Sequence, residues 1–160
     1  MANERSECAG ALMPVSPMAR ALELAMEGAR AGEVPVGAVV VSAGGEIVAG
    51  ACNRVERDRD PSAHAEIIAL REAGRLAGSP RLVGHDLYVT LEPCPMCAHA
   101  IALARIRRLY YGAEDEKGGG VDNGARIFSL TSCHHRPEVY GGIGAAAAAG
   151  LLRQFFRERR

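Results

Sequence analysis

The sequence predicts an α/β protein in which helices pack on a mixed β-sheet. Short apolar segments with the length of strands alternate along the chain with segments whose apolar residues recur every three or four positions, as in helices. Glycine and proline stand between most of these segments and mark the turns. A chain of 160 residues can bury one core, so we expect a single domain.

The composition narrows the class of protein. Hydrophobic residues make up 48% of the chain and charged residues 24%, as in ordinary globular proteins, and the formal net charge is zero. A neutral chain has no overall attraction to nucleic acid, so such binding has to come from a local patch. No apolar run reaches the roughly 20 residues that span a bilayer. Five cysteines, an odd number, favour reduced thiols in the cytoplasm over a disulfide framework.

The first part of the chain differs from the rest. Residues 1–17 mix small and polar residues without a period, so we expect a disordered extension there and one domain at residues 18–160. Residues 127–144 show no periodic pattern, so they are assigned neither to a helix nor to a strand. The other elements are predicted as a helix at residues 18–31, strands at 34–41 and 47–52, a helix from 60–62 to 77, a strand at 86–91, a helix at 95–104, a strand at 108–112 and a terminal helix at 145–160.

Glycine, proline and capping residues set the predicted boundaries. Gly32 ends the first helix, and the sequence Ala-Gly-Gly at residues 43–45 favours a hairpin turn between the first two strands. The sequence Asp-Pro-Ser at residues 60–62 can cap the second helix and supply its first turn. The charged residues 54–59 and the glycine-rich residues 112–124 are predicted as loops.

Two short motifs concentrate the chemistry of the chain. His64 and Glu66 form an H-x-E motif near the start of one predicted helix, and Cys94 and Cys97 form a P-C-x-x-C motif with Pro93 at the start of another. Cysteines three apart lie on one face of a first helical turn, where free N–H groups and the helix dipole favour thiolates. Three ligands with an open fourth position are typical of catalytic zinc. The sequence therefore predicts a zinc site with ligands His64, Cys94 and Cys97.

Glu66 is predicted to act beside the metal. Zinc lowers the pKa of a bound water to roughly 7, and a neighbouring carboxylate can take its proton and hand it to a leaving group. The alternative is a closed structural zinc site or two buried core cysteines. A single C-x-x-C motif and the carboxylate beside the histidine speak against that alternative. The two motifs together are the known signature of zinc nucleobase deaminases.

Beyond these motifs, the chain resembles the bacterial tRNA-specific adenosine deaminases from about residue 18 to its end. The resemblance implies a cytidine deaminase-like three-layer α/β/α sandwich with a five-stranded mixed sheet, one zinc ion per subunit and a homodimer. It also implies hydrolytic conversion of the wobble adenosine of a tRNA anticodon, position 34, to inosine. The matching segments are residues 33–39, 53–54, 63–67, 87–94, 104–106 and 111–113, Asp115, Lys117 and residues 155–157.

The resemblance also assigns roles to individual residues. His64, Cys94 and Cys97 would bind zinc, and Glu66 would protonate N1 of adenine and then the amine, which leaves as ammonia. The residues expected at the flipped-out base, in the walls of its pocket or near the RNA are Asn53, Val34, Ala65, Leu91, Asp115, Lys117, Phe156 and Arg159.

Some of these residues have a second interpretation. Asn53 follows a strand and can be a turn residue that bonds its own backbone. Of Phe155 and Phe156, one is expected to pack in the core, while a phenylalanine here can also stack on a base. The arginines at residues 157–160 either contact phosphates or suit the negative end of a helix dipole.

Two other functions stay open at this stage. An enzyme of the same fold can act on a free base or nucleoside such as guanine, cytosine or cytidine, but the basic tail and the matches outside the zinc motifs speak against it. An inactive deaminase-like subunit can bind RNA without turnover. Such a subunit has no need of a proton shuttle, and Glu66 is present.

Overall fold

A five-stranded sheet with helices on both faces forms the centre of the protein in the computed structural model, which describes residues 14–160. Most of the predicted extension, residues 1–13, lies outside the described residues. The elements are α1 (Pro17–Arg30), β1 (Gly37–Val41), β2 (Ile47–Cys52), α2 (Val55–Asp58), α3 (Ala65–Ala77), β3 (Asp86–Leu91), α4 (Pro95–Leu103), β4 (Arg108–Ala113), a 3-10 turn (Ile127–Ser129), β5 (Glu138–Tyr140) and α5 (Ala145–Arg157).

The sheet is mixed and has the strand order β2-β1-β3-β4-β5. Strand β1 pairs antiparallel with both β2 and β3, whereas β3 with β4, and β4 with β5, pair in parallel. The predicted fold class and the five-stranded mixed sheet are confirmed. Because β3 and β4 are parallel, with Leu91 opposite Ala113, the segments that follow them leave the sheet at the same edge.

The two faces of the sheet bury different helices. Along β1, Ala38 and Val40 point to the larger core cluster, which contains the apolar residues of α3 and α4. The alternate residues Val39 and Val41 point to a smaller cluster with α1. Helix α5 packs against α1 and β4. All five residues of β1 are buried because both of its faces are covered.

The predicted start of the second helix at residues 60–62 is wrong. Asp60 Oδ1 accepts the backbone N–H of Ser62 at 2.8 Å and its hydroxyl at 2.7 Å, which closes a turn instead of capping a helix. Helix α3 begins at Ala65, whose backbone N–H donates to Asn53 Oδ1 at 2.9 Å. The cap thus comes from a residue 12 positions away, and no local pattern reveals it.

The predicted loop at residues 54–59 is also wrong, because it contains the short helix α2. The backbone N–H groups of Glu56 and Arg57 donate to the Glu33 carboxylate at 3.2 and 2.8 Å. Glu33 is only 2% exposed and precedes β1. A distant side chain therefore satisfies the first turn of α2.

Other helix and strand boundaries differ from the predicted ones by a few residues. Strand β1 begins at Gly37, three residues later than predicted, and α5 ends at Arg157. The segment that the sequence left unassigned contains β5, a three-residue strand at one edge of the sheet. None of the helices between residues 14 and 160 is long and apolar enough to cross a lipid bilayer.

We predict that Gly37→Ala destabilises the protein by roughly 3 kcal/mol, because overpacking a well-packed interface costs about 1–3 kcal/mol and sometimes more. A Cβ atom at Gly37 would lie 2.8 Å from the backbone nitrogen of Ala25 and still closer to the carbonyl oxygen of Ala21, in α1. Urea unfolding measures the effect. Gly44→Ala is the control, because a Cβ atom there meets only Ser42 Oγ, at 3.8 Å. Equal stability of the two variants would contradict this packing.

Candidate active site

The three predicted metal ligands lie together at the N-termini of α3 and α4. Cys94 is the N-cap residue of α4, and Cys97 lies in its first turn. His64 is the N-cap residue of α3. The free N–H groups and the positive dipole ends of two helices therefore face one point, which favours anionic ligands there.

The distances between the ligand atoms fit zinc. His64 Nδ1 lies 3.6 Å from Cys94 Sγ and 3.5 Å from Cys97 Sγ, and all three atoms lie within 4.8 Å of one another. Tetrahedral zinc, with bonds of about 2.3 Å to sulfur and 2.0–2.1 Å to nitrogen, separates these ligand types by about 3.6 Å. Two thiolates and an imidazole are also the donor set that zinc favours. Three protein ligands leave the fourth position for water.

The side chains of the site stabilise a thiolate. The hydrogen bond with Cys97 lowers the pKa of Cys94 to about 4. The hydrogen bond with Cys94, together with burial, raises the pKa of Cys97. The pKa of His64 is also raised, chiefly by its hydrogen bond with Cys94. The Cys94 thiolate is therefore stable at neutral pH, which is the form that a metal ligand needs, whereas Cys97 and His64 have to give up a proton when a metal binds.

Glu66 lies in the first turn of α3, two residues after His64, and is 4% exposed. Burial raises the pKa of its carboxyl group to about 7. It does not belong to the cluster of the three ligand atoms, but it lines the same cavity as His64 and Cys94. A carboxyl group with a pKa near neutrality suits a residue that takes up and releases a proton.

A cavity of about 730 Å³ opens beside these residues. Its volume lies within the range of about 300–1,000 Å³ that is usual for small-ligand sites. Besides His64, Glu66 and Cys94, five of the eight predicted substrate residues line it: Val34, Asn53, Leu91, Asp115 and Arg159.

The other three predicted substrate residues do not line this cavity. Ala65 is fully buried at the start of α3, and Lys117 is exposed on the loop after β4. Phe156 is 51% exposed, whereas Phe155 is 6% exposed and lines the cavity. The expectation that one of the two phenylalanines packs in the core is thus confirmed, and it is Phe155.

Asn53 is held by a long-range hydrogen bond. Its Oδ1 atom accepts the N–H of Ala65, so the alternative of a turn residue that bonds its own backbone is not what the structure shows. With Oδ1 engaged at the start of α3, the amide NH2 group is the part of Asn53 that remains for a ligand in the cavity.

Arg159 is fixed at the edge of the cavity by Phe155. The guanidinium carbon lies 3.5 Å from the centre of the Phe155 ring, and Nη1 donates to the Phe155 carbonyl oxygen at 3.4 Å. This cation–π contact holds a positive charge in the lining of the cavity.

Two buried glutamates of the cavity wall were missed by the sequence analysis. Glu33 and Glu92 are each 2% exposed. Glu33 accepts backbone N–H groups from α2, and Glu92 accepts them from the loop after β4. Burial acts to raise the pKa of Glu92, but the donors from Asp115, Asn123 and Asp122 outweigh it, so the pKa lies below its usual value. For Glu92, the signal in the sequence was a charged residue directly after the apolar strand that leads to Cys94. The sequence does not show which groups bind its carboxylate.

Comparison with known families agrees with this geometry. Residues 15–113 match the model of the cytidine and deoxycytidylate deaminase zinc-binding region. A tRNA-specific adenosine deaminase of Agrobacterium fabrum is 54% identical over 143 residues, which cover 87% of this chain and 93% of that relative.

Solved structures share the fold. One, from a study of A-to-I editing by tRNA:A34 deaminases at the wobble position of transfer RNA, matches with a TM-score of 0.81 and 52% identity over 82% of this chain and 95% of that chain. A guanine deaminase from Nitrosomonas europaea matches with a TM-score of 0.76 and 26% identity over 89% and 84% of the two chains. The chain therefore belongs to the cytidine and deoxycytidylate deaminase zinc-binding family and, within it, to the tRNA-specific adenosine deaminases.

Proposed function

We propose that the protein is a zinc-dependent hydrolase that deaminates the wobble adenosine, position 34, of a tRNA anticodon to inosine. The observation that carries the proposal is the set of ligands His64, Cys94 and Cys97 with the buried carboxyl group of Glu66 beside them in one cavity. The similarity to the A. fabrum enzyme and to the tRNA:A34 deaminase structure supports adenosine in tRNA as the substrate.

The proposed mechanism divides the work between the ligands and Glu66. His64, Cys94 and Cys97 would hold the zinc ion, which would supply Lewis-acid activation of a water molecule near neutral pH. Glu66 takes a proton from the water that attacks C6 of adenine and delivers it to N1 of the base. It then passes a second proton to the amine, which leaves as ammonia, so that adenosine and water give inosine and ammonia.

The cavity wall is proposed to hold the base. The adenine has to leave the anticodon stack to reach Glu66, and Val34 and Leu91 offer apolar walls for its ring. The NH2 group of Asn53 can donate to a ring nitrogen. Asp115 and Arg159 also line the cavity and are proposed to contact the rest of the nucleotide, together with the exposed Lys117 and Phe156. Ala65 is fully buried and its N–H is bonded to Asn53, so it can act on the substrate only through Asn53.

The substrate assignment is tested by offering the purified enzyme an anticodon stem-loop with adenine at the wobble position, and separately free adenosine, cytidine and guanine. Release of ammonia and formation of inosine are measured. Inosine in the stem-loop alone is the expected result. The structural match to a guanine deaminase makes free guanine the second candidate, and ammonia from guanine alone would replace the RNA assignment.

We predict that Glu66→Gln keeps one zinc ion per chain and loses activity by about 10²–10⁴-fold, the usual contribution of a general acid–base. Glutamine has the same shape but cannot take up the proton. Metal analysis and inosine formation measure the two effects. Cys97→Ala is the contrasting variant, because it removes a ligand and should lose zinc as well as activity. Loss of zinc from Glu66→Gln would contradict the shuttle role.

We predict that replacing Arg157, Arg159 and Arg160 by alanine weakens RNA binding and flattens its salt dependence. If each contacts a phosphate, the slope of log K against log salt concentration becomes shallower by about 2, since each single-strand contact contributes roughly 0.7. Fluorescence anisotropy over a salt series measures the slope. The control replaces Arg20 and Arg75, exposed arginines that are ion-paired with Glu residues on α1 and α3. A slope equal to that of the control would assign the tail to helix stability.

The proposed assembly is a homodimer. An apolar groove of about 630 Å³ lies between α3 and α4, and Leu103, which lines it, is 65% exposed. On the same two helices, Leu76 and Met96 are 56% and 40% exposed. A second copy of the chain would remove this apolar surface from water.

We predict a mass of twice 16.9 kDa by light scattering, and a shift to the monomer in Leu103→Glu. A wild-type monomer at micromolar concentration would contradict the dimer.

A cytoplasmic location is proposed on the state of the thiols. Cys52 and Cys133 are free in the structure, and the ligands Cys94 and Cys97 have to remain reduced to bind zinc. A reducing compartment provides these conditions.

A further inference from the structure

The Glu92 carboxylate, between β3 and the zinc ligand Cys94, is buried and fully engaged. Its Oε1 atom accepts the backbone N–H groups of Val121, Asp122 and Asn123 at 3.2, 2.9 and 2.9 Å. Its Oε2 atom accepts the backbone N–H of Asp115 at 3.0 Å and the side-chain amide of Asn123 at 2.7 Å. All five donors come from residues 115–123, which we call the 115–123 loop.

The 115–123 loop lies directly on the turn that carries the zinc ligands. The backbone N–H of Gly120 donates to the carbonyl oxygen of Pro93 at 2.8 Å. A Cβ atom at Gly120 would lie 2.7 Å from Pro95 Cα and 2.8 Å from the carbonyl carbon of Cys94. At Gly119 a Cβ atom would lie 2.6 Å from Glu92 Cδ. The loop therefore packs on the backbone of the ligand turn and on the Glu92 side chain, at distances that only glycine allows.

The same loop forms one wall of the cavity. Asp115 and Gly118 line the cavity, and Asp115 Oδ1 accepts the backbone N–H groups of Lys117 and Gly118 at 3.2 and 2.8 Å. The N–H of Asp115 is in turn held by Glu92. One carboxylate thus connects the wall of the cavity to the ligand turn.

Because the Glu92 carboxylate is buried, the hydrogen bonds that it accepts from the 115–123 loop depend on one another. The charge of Glu92 is stable without water only while its donors stay in place, and glycines 118–120 would otherwise give the loop large conformational freedom. Tyr111 adds a second anchor, because its hydroxyl donates to Asp122 of the loop. Glu92 in the cavity wall and Tyr111 behind it therefore hold the loop in one conformation.

We propose that Glu92 is a positioning residue, whose carboxylate fixes the 115–123 loop as a rigid wall against the zinc-ligand turn and so sets how the nucleotide is held. The identity of the nucleotide rests on the proposed function. The attachment of the loop to Glu92 does not, and it can be measured without substrate.

Glu92→Gln is the decisive variant. Glutamine keeps the shape and one carbonyl oxygen but places an NH2 group opposite the donors of Asp115 or those of residues 121–123. We expect one zinc ion per chain as in the wild type, faster amide hydrogen exchange in residues 115–123, and a KM for the anticodon stem-loop raised about tenfold with kcat changed much less.

Asp86→Asn is the matched control. Asp86 is also a buried carboxylate, 7% exposed, and lies at the opposite end of β3, where it is ion-paired with Arg107 at 2.8 Å. Its replacement should lower the free energy of unfolding but leave exchange in the 115–123 loop and the KM unchanged. An equal rise in KM in both variants would reduce the effect of Glu92 to general destabilisation and overturn the proposal.

The remaining outcomes are also decisive. Wild-type exchange and KM in Glu92→Gln would overturn the proposal. If Glu92→Gln does not fold, Asn123→Ala removes one loop donor and should still speed exchange in residues 115–123, and unchanged exchange there would overturn it. A wild-type enzyme that leaves the stem-loop unchanged would refute the proposed function, while the exchange experiment would still decide the role of Glu92.

Discussion

The meeting of two helix N-termini at the carboxyl end of β3 is the constraint on which the site depends. His64 precedes α3 and Cys94 precedes α4, so both motifs lie where helices present free N–H groups and the positive end of their dipoles. The parallel pairing of β3 and β4 brings the loop after β4 to the same edge. Ligands, cavity and covering loop therefore all follow from the order of the strands.

Three buried glutamates around the cavity show how the environment divides one residue type into different roles. Burial raises the pKa of Glu66 to about 7, so that this carboxyl group can exchange a proton at neutral pH. Glu92 is as deeply buried, but its five donors keep it charged and bound to the 115–123 loop. Glu33 similarly holds α2 on another part of the cavity wall. Two carboxylates that hold structure thus lie beside one carboxyl group, that of Glu66, whose pKa suits the proposed proton transfer.

One face of the C-terminal helix α5 and the residues after it contribute to the wall of the cavity. Phe155 faces inward and holds Arg159 by a cation–π contact, while Phe156, one position further, is exposed. Consecutive residues of a helix point about 100° apart, so only one of the two rings can line the cavity. The arginines near this helix end form a local positive charge on a chain whose formal net charge is zero.

The sequence by itself determined the alternation of strands and helices and the two motifs that supply His64, Cys94 and Cys97, because each of these depends on spacing within a short segment. The same spacing predicts Glu66 beside them. Only the tertiary structure decided where α3 begins, that α2 exists, where β5 lies and which phenylalanine faces the cavity. The cap of α3 comes from Asn53, the cap of α2 from Glu33, and the hold on the 115–123 loop from Glu92. These hydrogen bonds join residues that are 12 to 31 positions apart, and such partners meet only once the sheet has brought its edges together.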